Sequence, residues 1–139
     1  MIHTQNSKNS IVFEAQSVAT NGTATGTVSC VGFRYAKVQL QLGTAAASNV
    51  DVTMTLTESD GTTYTTSSDL TMTTAAPNTS IGQLYCWYVD LRKRKKNLKV
   101  TYAPNTSVAR LAACTIELSR AENAPITTAT RGLAGQVVA

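Results

Sequence analysis

Histidine is almost missing from this chain. His3 is the only one, and it sits in the polar opening stretch 1–10 rather than in a patterned segment. A Ser-His-Asp or Cys-His site needs its base held by the scaffold, so a terminal imidazole argues against that chemistry. Cysteine is scarce too: Cys30, Cys86 and Cys114 are an odd number with no CxxC pair. That spacing does not make a zinc site or a disulfide framework, and reduced thiols packed as small hydrophobes are expected. No glycine-rich phosphate loop leads into a helix. No apolar run approaches the length of a transmembrane helix, and residues 1–10 lack the apolar stretch of a secretory signal. Synthesis and first folding in a cytosol, with no membrane partner, are the expectation.

Charge is also thin. Asp, Glu, Lys and Arg make up 14% of the 139 residues, against an ordinary quarter, while apolar residues reach a normal 42%. Thr and Ala are the commonest residues. A chain that replaces surface charge with Thr suits pleated, half-buried surfaces, and some of its surface is expected to be covered by other subunits. The net charge of +4 is modest but uneven, since five of the twelve Lys and Arg fall in Arg92, Lys93, Arg94, Lys95 and Lys96. Nucleic acid is not the expected partner, because the basic residues are not interleaved with regular surface aromatics for stacking.

What is present is alternation. Ala36, Val38, Leu40 and Leu42 alternate with Lys37, Gln39 and Gln41. Val50, Val52, Met54 and Leu56 alternate with Asp51, Thr53, Thr55 and Thr57. Leu98, Val100 and Tyr102 alternate with Lys99 and Thr101, and Ala112, Cys114, Ile116 and Leu118 follow the same rule. Ile11, Phe13 and Ala15 suggest a first strand facing one way. Short strands are also expected over 28–31, 62–66 and 70–74. Glu58-Ser59-Asp60-Gly61 is a hairpin turn, because Gly takes positive φ without steric cost. Glu58 and Asp60 could share a calcium ion, but the remaining oxygen ligands of a calcium loop are missing.

The densest stretch is Gln83 to Tyr102. Tyr85, Trp87, Val89 and Leu91 fall on one face of a strand, and Leu84, Cys86 and Tyr88 on the other. A strand apolar on both faces belongs in a core, or between a core and a partner subunit, so Leu84 and Tyr88 are the candidate oligomer interface. Arg92 to Lys96 would then sit at the tip of a hairpin. Such a tip is either a solvated guard against edge pairing or a docking element for an acidic surface. Asp90 is expected to pair with Arg34, Arg110 or Arg120.

Together these patterns predict an all-β protein: an antiparallel β-sandwich, jelly-roll-like, of seven or eight short strands with flexible termini. Its domain is expected over residues 11–120, between an N-terminal arm at 1–10 and an extended tail at 121–139. Cofactors, metals and catalytic residues are not expected.

Four pieces of sequence carry a resemblance. They are Tyr35-Ala36-Lys37 with Leu42-Gly43-Thr44, Thr57-Glu58-Ser59-Asp60, Val89-Asp90-Leu91-Arg92-Lys93-Arg94, and Leu118-Ser119-Arg120-Ala121-Glu122 before Pro125. In this order, over roughly Gly32 to Pro125, the chain resembles small virion structural proteins of tailed bacteriophages, of the head decoration (cement) type. Here the run continues into Lys95 and Lys96 and is more basic than the family's pattern. The resemblance implies a non-enzymatic protein on the outer surface of an icosahedral head, made in the host bacterial cytoplasm. Its partner would be the major capsid protein, whose subunits it bridges, and it would form a homo-oligomer, with a trimer as the first expectation. The alternative is a small jelly-roll coat protein whose basic hairpin faces nucleic acid.

Overall fold

The computed structural model describes residues 7–19, 21–45, 52–74, 82–104 and 109–120. The expected tail at 121–139, His3, Val50 and Asp51 lie outside the described residues. Eight strands occur among them: β1 (Lys8–Val18), β2 (Ala24–Ser29), β3 (Tyr35–Ala45), β4 (Val52–Ser59), β5 (Thr65–Thr74), β6 (Gln83–Asp90), β7 (Asn97–Pro104) and β8 (Arg110–Ser119). A single 3-10 turn, Leu91–Lys93, follows β6, and no α-helix is present among the described residues.

The strands form two antiparallel sheets, ordered β1-β8-β3-β6 and β2-β7-β4-β5. Within them β4 pairs with β5, β3 with β6, β2 with β7 and β1 with β8. The chain is therefore one long hairpin, nested around the β4–β5 turn and rolled so that successive pairs alternate between sheets. That is the jelly roll, and the all-β sandwich expected from the alternation is what forms.

The core lies between the two inner faces. Val38, Leu40, Leu42, Ala112, Cys114, Ile116 and Leu118 come from one sheet, and Met54, Leu56, Leu98, Val100 and Tyr102 from the other, all buried. Period-two patterning places them there, because alternate side chains point to opposite faces. Trp87 is also buried, and its Nε1 donates to the Leu70 carbonyl at 3.1 Å. The indole thereby links the edge strand of one sheet to the opposing sheet. At the other open side the sheets approach so closely that a Cβ on Gly26 would lie 1.8 Å from the Val12 carbonyl oxygen. Only glycine fits there.

Several expectations are corrected. β1 begins at Lys8, inside the expected arm, and Lys8, Asn9 and Ser10 pair with Leu118, Glu117 and Ile116. Register shifts on either side of Phe13 break the alternation in β1, so Phe13 is buried while Ile11 and Ala15 are exposed. The short strand expected over 28–31 is instead β2, and the two expected over 62–66 and 70–74 are replaced by one strand, β5, from Thr65 to Thr74. Most consequentially, β6 and β7 are not a hairpin. β6 pairs with β3 in one sheet and β7 with β2 and β4 in the other, so Arg92–Lys96 lies in a crossover between sheets.

Candidate functional site

The crossover begins at Asp90, which caps the 3-10 turn. Its carboxylate accepts from the Arg92 backbone N–H at 3.1 Å and from Arg92 Nε at 2.9 Å, and it is also bonded to Arg92 Nη2. This pairing two residues away replaces the expected pairing with Arg34, Arg110 or Arg120. Capping already fixes the carboxylate at the Arg92 N–H, where the Arg92 side chain can fold back onto it. The guanidinium holds the Asp90 carboxyl down at about 2. Leu91, buried, closes the end of the core, and its N–H donates to the Arg34 carbonyl at 2.8 Å.

Beyond the turn the chain is tied to the β4–β5 corner. Arg94 Nη1 lies 3.6 Å from Glu58 Oε1, and the Lys95 N–H donates to Glu58 Oε2 at 3.2 Å. Lys95 Nζ bonds Thr65 Oγ1 at 3.0 Å, and the Lys96 N–H donates to Asp60 Oδ1 at 3.1 Å. The Lys96 carbonyl accepts from the Cys30 N–H at 2.7 Å. Glu58 and Asp60 thus serve backbone N–H groups and cations, which is a structural use of the pair. Among the described residues no three His, Cys, Asp or Glu side chains come together to hold a metal.

The basic run is therefore an anchored crossover, and its five cations are not equivalent. Arg92, Arg94 and Lys95 have intramolecular partners. The ammonium groups of Lys93 and Lys96 are exposed, with no hydrogen-bond or ion-pair partner among the described residues. Next to the run, the Arg92 and Arg120 guanidiniums lie 5.5 and 5.2 Å from the ring centroid of Tyr35. Arg120 reaches this position from a left-handed backbone, φ 53°. Lys99 sits 4.7 Å from the Tyr64 ring. These are cation–π arrangements, each of modest strength at an exposed site.

The second candidate is the outer face of the β1-β8-β3-β6 sheet. Leu84 is 60% exposed and Tyr88 78%, both on edge strand β6. Cross-strand register sets them in rows: Leu84 with Gln41 and Ala113, Tyr88 with Lys37 and Glu117. Leu111 and Ile11, also exposed, extend the face across β8 and β1. Lys37 Nζ stands 6.0 Å from the Tyr88 ring. Two shallow grooves cross the face. One, of about 470 Å³, lies between Gln39, Gln41, Leu84 and Thr115, and the other, of about 430 Å³, between Tyr35, Lys37, Tyr88 and Ser119. Cys86, expected in the core, lies half-buried on this outer row opposite Gln39.

The opposite outer face is of another kind. Thr25, Thr101 and Thr55 form one row, with the Thr25 and Thr101 hydroxyls 3.4 Å apart. One outer face thus carries exposed Leu84, Tyr88, Leu111 and Ile11 among polar side chains, and the other carries a threonine row. Sequence reasoning found Leu84 and Tyr88 from the two-faced apolar strand. It missed Ile11 because of the shifts in β1, and it missed the anchoring part of Glu58 because nothing local shows that a turn carboxylate will meet residues 94 and 95.

Neither a protein-family model nor a curated protein matches the chain. Among solved structures it is similar to the enzymatically active domain of tailspike protein 4 of bacteriophage CBA120, with 11% identity and a TM-score of 0.49 over 83% of this chain and 20% of that one. It is similar to a protein of the disulfide-linked pili of Bacillus endospore appendages, with 16% identity and a TM-score of 0.44 over 82% of this chain and 88% of that one. A family GH115 4-O-methyl-α-glucuronidase, BtGH115A, gives 9% identity and a TM-score of 0.45 over 85% of this chain and 17% of that one. The chain spans about a fifth of the tailspike structure and less of the glucuronidase. Likenesses at this identity say nothing about what the chain binds.

Proposed function

We propose that this is a non-enzymatic virion structural protein of a tailed bacteriophage, a decoration protein that binds the outside of the assembled head and bridges major capsid subunits. The observation that carries the reading is that Leu84, Tyr88, Leu111 and Ile11 are all exposed on one outer face of the sandwich. Large apolar side chains gathered on one exposed face favour cover by another macromolecule.

Parts of the four sequence pieces lie together at one end of the sandwich: Tyr35 is the cross-strand partner of both Asp90 and Ser119, and Glu58 holds Arg94 and the Lys95 N–H. Leu42 and Gly43 lie at the other end of β3. Burial pushes the Cys30 thiol up to about 11 and the Cys114 thiol to about 12, so neither is a nucleophile at neutral pH.

A protein of this kind stabilises a shell by mass action, because it binds the assembled lattice and not its parts. The test is sedimentation with DNA-free expanded shells and, separately, with soluble capsid subunits. Retention on shells alone is expected, and Leu84→Ser with Tyr88→Ser should reduce it at least tenfold. Equal binding to shells and free subunits defeats the reading.

The second reading, a coat protein forming the shell itself, draws on the fold, since jelly rolls recur in viral capsid domains. Lysine-reactive labelling of full particles separates the two. Lys93 and Lys96 protected inside the shell would favour the coat protein, and labelled ones decoration. A trimer is the oligomer proposed, and light scattering of the free protein tests it.

A further inference from the structure

The edges of the sandwich are not alike. Among the described strands, β1 and β6 border one sheet and β2 and β5 the other. A strand at an edge presents a row of backbone N–H and C=O groups, and proteins blunt such rows with bulges, short length, charge or cover. β1 carries two register shifts, and β2 is six residues long and packs against β1 at Gly26. β5 pairs with β4 through a register shift and carries Asp69. β6 has none of these devices. Its eight residues, Gln83 to Asp90, run against β3 without a shift, and its one charge stands at the last position. The far side of β6 is open. A cavity of about 530 Å³ lies between Tyr88, Val89 and Asp90, Leu70 of the opposite sheet, and the crossover, and no described residue of β3 lines it.

A flat, uncharged edge with apolar side chains on its outer row is a template for another strand. The strand that fits it best is its own copy. On the outer row, Leu84 and Tyr88 are spaced evenly about Cys86. Residues directly opposite each other in an antiparallel pair share a face of the sheet. With a two-fold axis at Cys86, Leu84 of each copy stands opposite Tyr88 of the other, Cys86 stands opposite Cys86, and Gly82, which has no side chain, stands opposite Asp90. Moving the axis to Trp87 sets Leu84 against the Asp90 carboxylate instead. The antiparallel arrangement also keeps like charges apart. The two basic crossovers fall at opposite ends of the pair, ~27 Å from each other at ~3.4 Å per residue, well beyond a screening length of ~8 Å. A parallel pair would set them side by side.

We propose that β6 pairs antiparallel with β6 of a second copy about a two-fold axis at Cys86, joining two β1-β8-β3-β6 sheets into one. The pairing uses the edge and leaves the outer face free, so it is independent of the decoration reading. It brings Leu84 and Tyr88 of both copies together around the axis. With a three-fold contact elsewhere on the protein it closes a dihedral assembly, and without one a dimer.

Charge exchange at the axis tests it. Sedimentation equilibrium is run on the wild type, on Cys86→Lys, on Cys86→Glu, and on an equal mixture of the two variants. The wild type should associate in pairs. Each variant alone sets like charges directly opposite each other and should associate ~5-fold more weakly or worse, and the mixture should regain at least the wild-type affinity. A packing defect at position 86 would weaken the mixture as much as its parts, so recovery is specific to the two-fold. Register is read separately in a Cys86→Ser background. There, Leu84→Cys mixed with Tyr88→Cys should form a disulfide on mild oxidation, because opposite Cβ atoms come within reach of one, and either variant alone should not. A wild type that does not self-associate, a mixture no tighter than its parts, or disulfides within each single variant rather than between them overturns the proposal. Should either charged variant not fold, the disulfide pattern decides alone.

Discussion

Replacing Glu58 by Gln tests whether the basic crossover is held by the β4–β5 corner. The side chains of Arg94 and Glu58 are 18% and 13% exposed, so their pair lies between the surface and buried limits. An exposed pair is worth about 0–1 kcal/mol. Breaking a fully buried one costs about 3–5 kcal/mol. Glu58 also accepts the Lys95 N–H, and Gln keeps an oxygen for that bond while losing the charge that strengthens it, a difference of about 1 kcal/mol. Together these give ~2 kcal/mol for Glu58→Gln. With a urea slope of ~2 kcal/mol/M, the midpoint should fall by ~1 M at unchanged slope. A double-mutant cycle with Arg94→Met isolates the pairwise part, which should exceed ~0.5 kcal/mol and change little with salt. Asp60→Asn, whose partner is the exposed Lys96 N–H, should cost less. A midpoint within experimental error of the wild type, or no coupling in the cycle, would show that the crossover stands without this anchor.

Acid stability should carry the mark of Asp90: its folded pKa of about 2 lies below the ordinary 3.8, so its contribution is present above 3.8 and is lost as pH falls through 2. Asp90→Asn should therefore flatten the fall in melting temperature over that window, and an unchanged acid limb would refute this. Native protein should label at Cys86 with a thiol reagent at neutral pH while Cys30 and Cys114 stay protected until the chain opens, read by mass spectrometry. Gly26→Ala should cost ~3 kcal/mol or more in urea unfolding, because the new Cβ meets backbone rather than a side chain that could turn aside.

The strands most legible in the sequence are β3, β7 and β8, whose inner rows are apolar over most of their length. The inner row read for the last strand, Ala112, Cys114, Ile116 and Leu118, is the buried row of β8. Phase was lost where the backbone leaves period two. In β1 the shifts around Phe13 turn Ile11 outward, and no residue type there announces a bulge. The crossover was misread for a different reason. A strand, a polar run and a second strand look alike whether the strands pair with each other or with distant partners. Trp87 pairs with Val38 and Leu98 with Val28, choices made across 49 and 70 positions of the chain. Arg110 was legible as the start of a strand but not as a buried charge, since its inward row is otherwise Ala112, Cys114, Ile116 and Leu118.

The two candidate surfaces differ in what each has already satisfied. At the crossover, the Glu58, Asp60 and Asp90 carboxylates neutralise much of the positive charge, and the remaining ammonium groups of Lys93 and Lys96 are solvated. Burying solvated ammonium groups against a partner gains little, since exposed pairs contribute about 0–1 kcal/mol each. The outer face of the β1-β8-β3-β6 sheet has the opposite character, because its apolar side chains gain about 25 cal/mol for each Å² removed from water. Docking energy would therefore come from Leu84, Tyr88, Leu111 and Ile11, and charge would act on approach and orientation. The two are contiguous: Tyr88 sits one row from Asp90 and Tyr35, over which Arg92 and Arg120 lie. A partner covering the apolar face would meet guanidinium groups at its border, the arrangement of a desolvated centre and a polar rim. Orientation then follows from the sheet itself, because the cations stand at one end of the face and so allow one direction of approach.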